Sequence, residues 1–275
     1  MNIIGIGEAG CKIANCFGQY DQYKIFSIDT DNKSYENFLA VKEQNSHELY
    51  ESNYQKLNLK DCIGETTLIL SGVGDISGCV LRVLQQIKKQ KIDVIYIKCT
   101  ERQLTKEQAT KDKIVFGVLQ EYARSNVIGN MYVVSNKSVE NILPDISIQN
   151  YWKDINNFIS NTYHMINVFQ RAEPLLSSAL NKKETVCIGT FGVVDFKTGN
   201  ERLFYDIEYP RAKNFYYNIN EETLKDKELL HTIRKRTDDL QGDSVTVGFS
   251  IYPTTYEHNY VYSTCYASYV QEQKF

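Results

Sequence analysis

Residues 2–16 constrain this chain more than any other stretch. Ile3 and Ile4 lead straight into Gly5, Gly7 and Gly10, and Ile13, Ala14 and Phe17 then recur at helical spacing. The pattern predicts a strand, a glycine turn and a helix. Glycine allows positive φ and close approach of the backbone to a ligand. The helix behind it offers unpaired N–H groups and a partial positive charge, which together suit a phosphate.

The rest of the chain repeats the theme. Strands are predicted at 23–29, 66–72, 93–98 and 130–135. A second glycine turn, Ser71 to Gly78, precedes a helix carrying Val80, Val83, Leu84 and Ile87, and residues 104–124 form another helix. Residues 32–62 are polar and weakly patterned, predicting loop and short helix. Such alternation predicts an α/β fold with a parallel, Rossmann-like sheet and helices on both faces. A long helix follows from Ser147, its N-cap, through Ile148, Trp152, Ile155, Ile159, Tyr163 and Ile166 to Phe169, with Pro174 just beyond. Strands of alternating pattern then surround a helix at 221–240 and predict a smaller α+β domain. The expected division is 1–146, 147–183 and 184–275.

Composition narrows the function classes. With 42% hydrophobic and 24% charged residues, the chain reads as globular. A formal net charge of -3 gives no electrostatic reason to expect nucleic acid as a partner. The absence of a long apolar run or a basic-then-apolar leader predicts no membrane span and a cytoplasmic location. Seven scattered cysteines without a C-x-x-C pair read as reduced thiols, and four isolated histidines offer no zinc spacing.

Three readings of the first turn stay open on residues alone. Gly5-x-Gly7-x-x-Gly10, followed roughly 20 residues on by Asp29, fits a dinucleotide fingerprint, which makes an NAD-type enzyme one alternative. A tight turn without ligand is the second. The third takes both glycine turns as cradling one polyphosphate.

Gly7-Glu-Ala-Gly-Cys-Lys-Ile-Ala-Asn15 resembles the first loop of tubulin, Gly-Gln-Ala-Gly-x-Gln-Ile-Gly-Asn. Ser71 to Gly78 resembles the glycine-rich second phosphate loop of the tubulin/FtsZ superfamily. Val133-Val-Ser-Asn136 with Ser138 to Leu143 is similar to the FtsZ segment beginning Ile-Pro-Asn-Asp. Trp152 with Asn156 and Asn157 resembles the start of the long central helix, and Asp243–Ser250 with Tyr260–Ala267 resembles the last FtsZ strands.

The resemblance covers nearly the whole chain in order. It implies a guanine-nucleotide-binding protein that forms head-to-tail filaments, with GTP or GDP as ligand and Mg²⁺ as a companion ion. A scaffold that keeps the fold without nucleotide is the alternative. The resemblance implies that Gly7, Glu8, Ala9, Gly10 and Cys11 offer amides to phosphates, with Gly74, Asp75, Ser77 and Gly78 at the second turn. It also implies that Trp152 stacks on guanine while Asn136, Asn156 and Asn157 read guanine or ribose edges. A buried core aromatic is the competing reading of Trp152.

Two departures stand out. Asp75 and Ile76 replace glycines of the second loop. Two like charges about 4 Å apart at an effective dielectric of about 20 repel by roughly 4 kcal/mol, so Glu8 and Asp75 beside a phosphate call for Mg²⁺ or weaken binding. The loop after the central helix, where FtsZ carries catalytic carboxylates, has Ser177, Ala179 and Lys182 at the corresponding places, with Glu173 as the nearest substitute. At most a weak GTPase is expected. If the chain ends at Phe275, no FtsZ-like tail is expected, nor recruitment of division partners through one.

Overall fold

The computed structural model of the chain describes residues 1–30, 35–100, 104–143, 145–178 and 186–271. They form two compact units, Met1–Ser160 and Asn161–Glu272.

In the first unit, β1 (Asn2–Ile6), α1 (Gly7–Cys16), β2 (Lys24–Asp29), β3 (Phe38–Ala40), α2 (His47–Ser52), β4 (Thr66–Leu70), α3 (Val80–Ile87), β5 (Ile92–Lys98), α4 (Lys106–Arg124), β6 (Met131–Ser135), α5 (Asn136–Ile142) and the start of α6 (Tyr151–Phe169) follow in order. The strands run β3-β2-β1-β4-β5-β6, and every pair is parallel. β1 and β4 are buried along their whole length, as in a sheet covered on both faces. This strand order reverses direction between β1 and β4, and ligands of open α/β sheets bind beyond the carboxyl ends of the strands at such a point.

Local chemistry sets the helix starts. Thr105 and Gln108 form a reciprocal capping box on α4, Ser135 caps α5 and Ser46 caps α2. Ser147 caps a 3₁₀ turn (Ile148–Asn150) rather than the long helix, which begins at Tyr151. The weakly patterned 32–62 region contributes β3, a short strand held to β2 by parallel pairing, and α2.

The second unit contains the rest of α6, β7 (Leu176–Ser177), β8 (Ile188–Val194), β9 (Glu201–Leu203), β10 (Ala212–Asn220), α7 (Leu229–Leu240), β11 (Thr246–Thr254) and β12 (Tyr260–Ala267). Its strands run β8-β12-β10-β11-β7 with β9 on β8. β10 and β11 are parallel, and the other pairs are antiparallel. Phe215, Tyr217 and Ile219 of β10 face Ile233 of α7 in one apolar cluster. On the opposite face Tyr216 stacks with Phe169 of α6, whose carbonyl accepts from the Tyr252 hydroxyl at 2.7 Å.

The helix expected at 221–240 starts only at Leu229. Asn220 Oδ1 accepts from Thr223 N and Asp226 Oδ1 from Glu228 N, so side chains take backbone donors that a helix would need. β9 ends at Leu203, after which Phe204 and Tyr205 turn into the core. None of the seven cysteines forms a disulfide, and burial pushes the Cys79 and Cys265 thiols up to about 12.

Candidate functional site at the paired glycine turns

Both glycine turns lie at the sheet's reversal point. β1 and β4 pair from Asn2 opposite Thr66 to Gly5 opposite Ile69, and each strand ends in a turn leading to a helix. Gly7 has φ +69°, a conformation that L side chains rarely adopt. A Cβ on Gly10 would lie 2.3 Å from the Ile69 carbonyl oxygen, so α1 sits directly on the end of β4. A Cβ on Gly7 would lie 2.9 Å from Ile76 Cγ2. The two turns therefore meet, with the Ile76 side chain between them.

The α1 ladder opens at Ile6. Its geometry commits the Gly10 and Cys11 amides to carbonyls one turn back and leaves those of Gly7, Glu8 and Ala9 without an intrahelical acceptor. The Cys11 thiol is buried against the carbonyls of Gly5 and Ile28. Glu8 and Ala9 are exposed. At the second turn a 3₁₀ turn (Asp75–Cys79) precedes α3. Ser77 is buried, and its hydroxyl donates to the Gly74 carbonyl at 2.7 Å with the Gly72 carbonyl 3.1 Å away. It stiffens the turn from inside. Gly78 packs against the His47 carbonyl, so the start of α2 rests on this turn.

The charges differ from those a bare sequence suggests. Glu8 pairs with Lys12 at 2.8 Å, and Asp75 pairs with Lys111 of α4 at 2.6 Å. The hydrogen bond to Asp75 holds the Lys111 ammonium above its usual range. Each carboxylate thus carries its own counter-charge, which offsets much of the roughly 4 kcal/mol repulsion expected of bare carboxylates. Among the described residues no group of three or more His, Cys, Asp and Glu side chains could hold a metal ion. Glu8 and Asp75 each already carry a lysine on one oxygen, so this donor set offers little net negative charge to a protein-held Mg²⁺ and fits it poorly.

A second group of side chains comes from α5 and α6. Asn136 begins α5, and its Oδ1 is buried with no hydrogen-bond partner. A buried acceptor without a donor is costly unless a ligand or water meets it. Tyr151 hydrogen-bonds Glu140 of α5 and packs edge-on against Trp152 at 5.0 Å. Trp152 is 55% exposed, which removes the core-aromatic reading, while Ile155 and Ile159 behind it are fully buried. Asn156 is buried and Asn157 half-buried on the same helix. The Ser160 hydroxyl bonds the Cys16 thiol and ties α6 to α1. Asp29 is buried at the end of β2, and its Oδ1 accepts from Thr30 N at 2.8 Å.

No protein-family profile matches the chain, and no curated protein matches it in sequence. Solved structures do match. A TubZ from Bacillus thuringiensis serovar israelensis, described as a GTPγS-form protofilament, superposes with TM-score 0.72 at 14% identity over 98% of this chain and 87% of that one. An empty FtsZ dimer from M. jannaschii gives 0.67 at 12% identity over 97% and 87%. CetZ2 of Haloferax volcanii, described as a GTPγS-bound protofilament, gives 0.68 at 12% identity over 96% and 92%. The chain has the tubulin/FtsZ fold.

In this tubulin-like chain the stretch after α6 is partly a strand. Leu176 and Ser177 form β7 on the edge of β11, with Ser177 Oγ 2.8 Å from Ser250 Oγ. Glu173 is exposed between α6 and β7. Ala179 and Lys182 lie outside the described residues.

Sequence reasoning missed Lys111 and His47. Lys111 is separated from Asp75 by 36 positions, and its only sequence cue is the spacing to Glu107 on one helix face. His47 lies in the weakly patterned region. Its Nε2 is buried without a partner, and burial holds the imidazole below its usual range.

Proposed function

We propose that this tubulin-like chain binds guanine nucleotide at its paired glycine turns, assembles head to tail and hydrolyses GTP slowly or not at all. The parallel pairing of β1 with β4 carries this reading, because it sets two glycine turns, each leading into a helix, side by side at the reversal point of the sheet. TubZ and CetZ2, which share the fold, are described with GTPγS. The amides of Gly7, Glu8 and Ala9 face the phosphates with Gly74, Asp75, Ser77 and Gly78 opposite. Trp152 stacks on guanine, and Asn136 with Asn156 or Asn157 reads base or ribose edges. The orphaned Asn136 Oδ1 supports that assignment.

Assembly follows the same logic. Ile148 and Trp152 are exposed at the start of α6, and Leu175 and Leu176 are exposed just past its end. Distinct apolar surfaces of this kind suit a heterologous contact that propagates. A cytoskeletal, cytoplasmic role accords with relatives described as protofilaments. Weak hydrolysis follows from the residue types after α6, where Ser177, Ala179 and Lys182 stand at the places the resemblance gives to a catalytic carboxamide and carboxylates.

A scaffold without nucleotide is the second reading. Ile76 favours it by occupying space between the turns, and Asp75 by supplying an anion of the chain's own. Sedimentation and phosphate release in GTP across a series of protein concentrations separate these outcomes. We expect nucleotide-dependent pelleting with little phosphate release. Fast release that climbs with protein concentration overturns the hydrolysis part, and pelleting indifferent to nucleotide favours the scaffold.

A further inference from the structure

We infer that Lys111 is the phosphate-binding cation of the candidate site, and that an anion seated at the second glycine turn takes its ammonium over from Asp75. This rests on the reading that the paired turns hold a phosphate.

Lys111 reaches the turn from a separate element. Its side chain is 14% exposed, against 39% for Asp75, and its Nζ lies 2.6 Å from Asp75 Oδ1 and 3.1 Å from Glu107 Oε1. The next residue on α4, Asp112, is 2% exposed and accepts from Lys98 Nζ at 2.5 Å and from the Tyr96 hydroxyl at 2.6 Å. The Tyr96 hydroxyl in turn lies beneath Gly72, where a Cβ would come within 2.1 Å of it. The buried Lys98–Asp112–Tyr96 group thus locks α4 to the floor of the second turn and fixes where Lys111 emerges.

Holding so enclosed a lysine costs desolvation that its two ion pairs have to offset. A phosphate offers the same ammonium a stronger, charge-assisted bond. Lys111 also meets the electrostatic need that the donor set leaves unmet for Mg²⁺: a positive charge at the second turn that requires no free carboxylate. Asp75 and Glu107 share the ammonium in this structure.

The test compares K111Q, K111R and D75N with the unaltered chain, using GDP with and without Mg²⁺ and tripolyphosphate as probes. A purely structural cluster makes both variants weaken binding, K111Q more, since it breaks the bonds to Asp75 and Glu107 while D75N breaks one. A phosphate-binding Lys111 makes them opposite. We expect K111Q to weaken both probes at least about tenfold, K111R to retain most binding and D75N to tighten both. Thermal unfolding should shift in the same direction in both, and further in K111Q. Weakening by both K111Q and D75N, or unchanged binding in K111Q, overturns the inference. Lys111-dependent tripolyphosphate binding with GDP no tighter than ADP would uphold it and sink the guanine reading. Failure of both probes to bind the unaltered chain sinks both.

Discussion

Gly7 and Ile76 meet across the two glycine turns, with the space where a Gly7 Cβ would stand only 2.9 Å from Ile76 Cγ2. The contact joins residues from the ends of adjacent strands and makes the turns one structure. It also makes that structure tighter than a glycine-only second turn would be, because a β-branched side chain replaces open space.

Glycine substitutions should therefore sort by surroundings. Gly10→Ala drives a Cβ to 2.3 Å from the Ile69 carbonyl oxygen and should destabilise the chain by about 1–3 kcal/mol. Gly117→Ala, within α4 and with nothing within 4 Å of its Cβ, should stabilise by about 0.4–1 kcal/mol. Urea unfolding of both variants checks the pair of signs.

Trp152 is the chain's only tryptophan, so its fluorescence reports on one place. Being 55% exposed, it should be quenched when guanine stacks on it. Trp152→Ala should cost about 1–3 kcal/mol of GDP binding, read by calorimetry. Unchanged emission in saturating GDP would remove Trp152 from the site.

Stability should fall on mild acidification. Burial lowers the pKa of both His47 and His164 from 6.5, with Glu48, Asp75, Lys111 and Glu51 as smaller influences on His47. The unfolded chain then binds more protons below 6.5. The contribution is complete above that value and is lost as pH falls through the folded pKa values. The melting temperature should drop as pH falls below about 6.5, before most carboxylates titrate. In the double variant H47Q/H164Q that slope should flatten.

Leu175 is 62% exposed just after α6. If it is buried between subunits, as proposed, Leu175→Glu should raise the critical concentration for assembly at least about tenfold. Its melting temperature should stay unchanged, since an exposed side chain supports little of the fold. Sedimentation of both proteins in GTP gives the comparison.

Periodicity made the first unit's sheet and α4 legible, because buried parallel strands read as apolar runs and helices as 3.6-residue stripes. β3 was not legible, since Phe38–Ala40 has no alternation and is held by pairing with β2. The start of α7 was hidden by local Asn220 and Asp226 hydrogen bonds that no periodicity records. At the site, the glycine spacing pointed to the two turns. Their contact through Ile76 and the reach of Lys111 to Asp75 arise from tertiary placement alone. Ile148 belongs to the apolar stripe of α6 in sequence yet is 96% exposed, because the helix starts after it.

The most direct measurement is calorimetric titration of the full chain with GDP, ADP and NAD. The account predicts saturable GDP binding at one site per chain, with ADP weaker by at least about tenfold and no NAD binding. NAD binding in place of GDP, or no binding of any of the three, would contradict it.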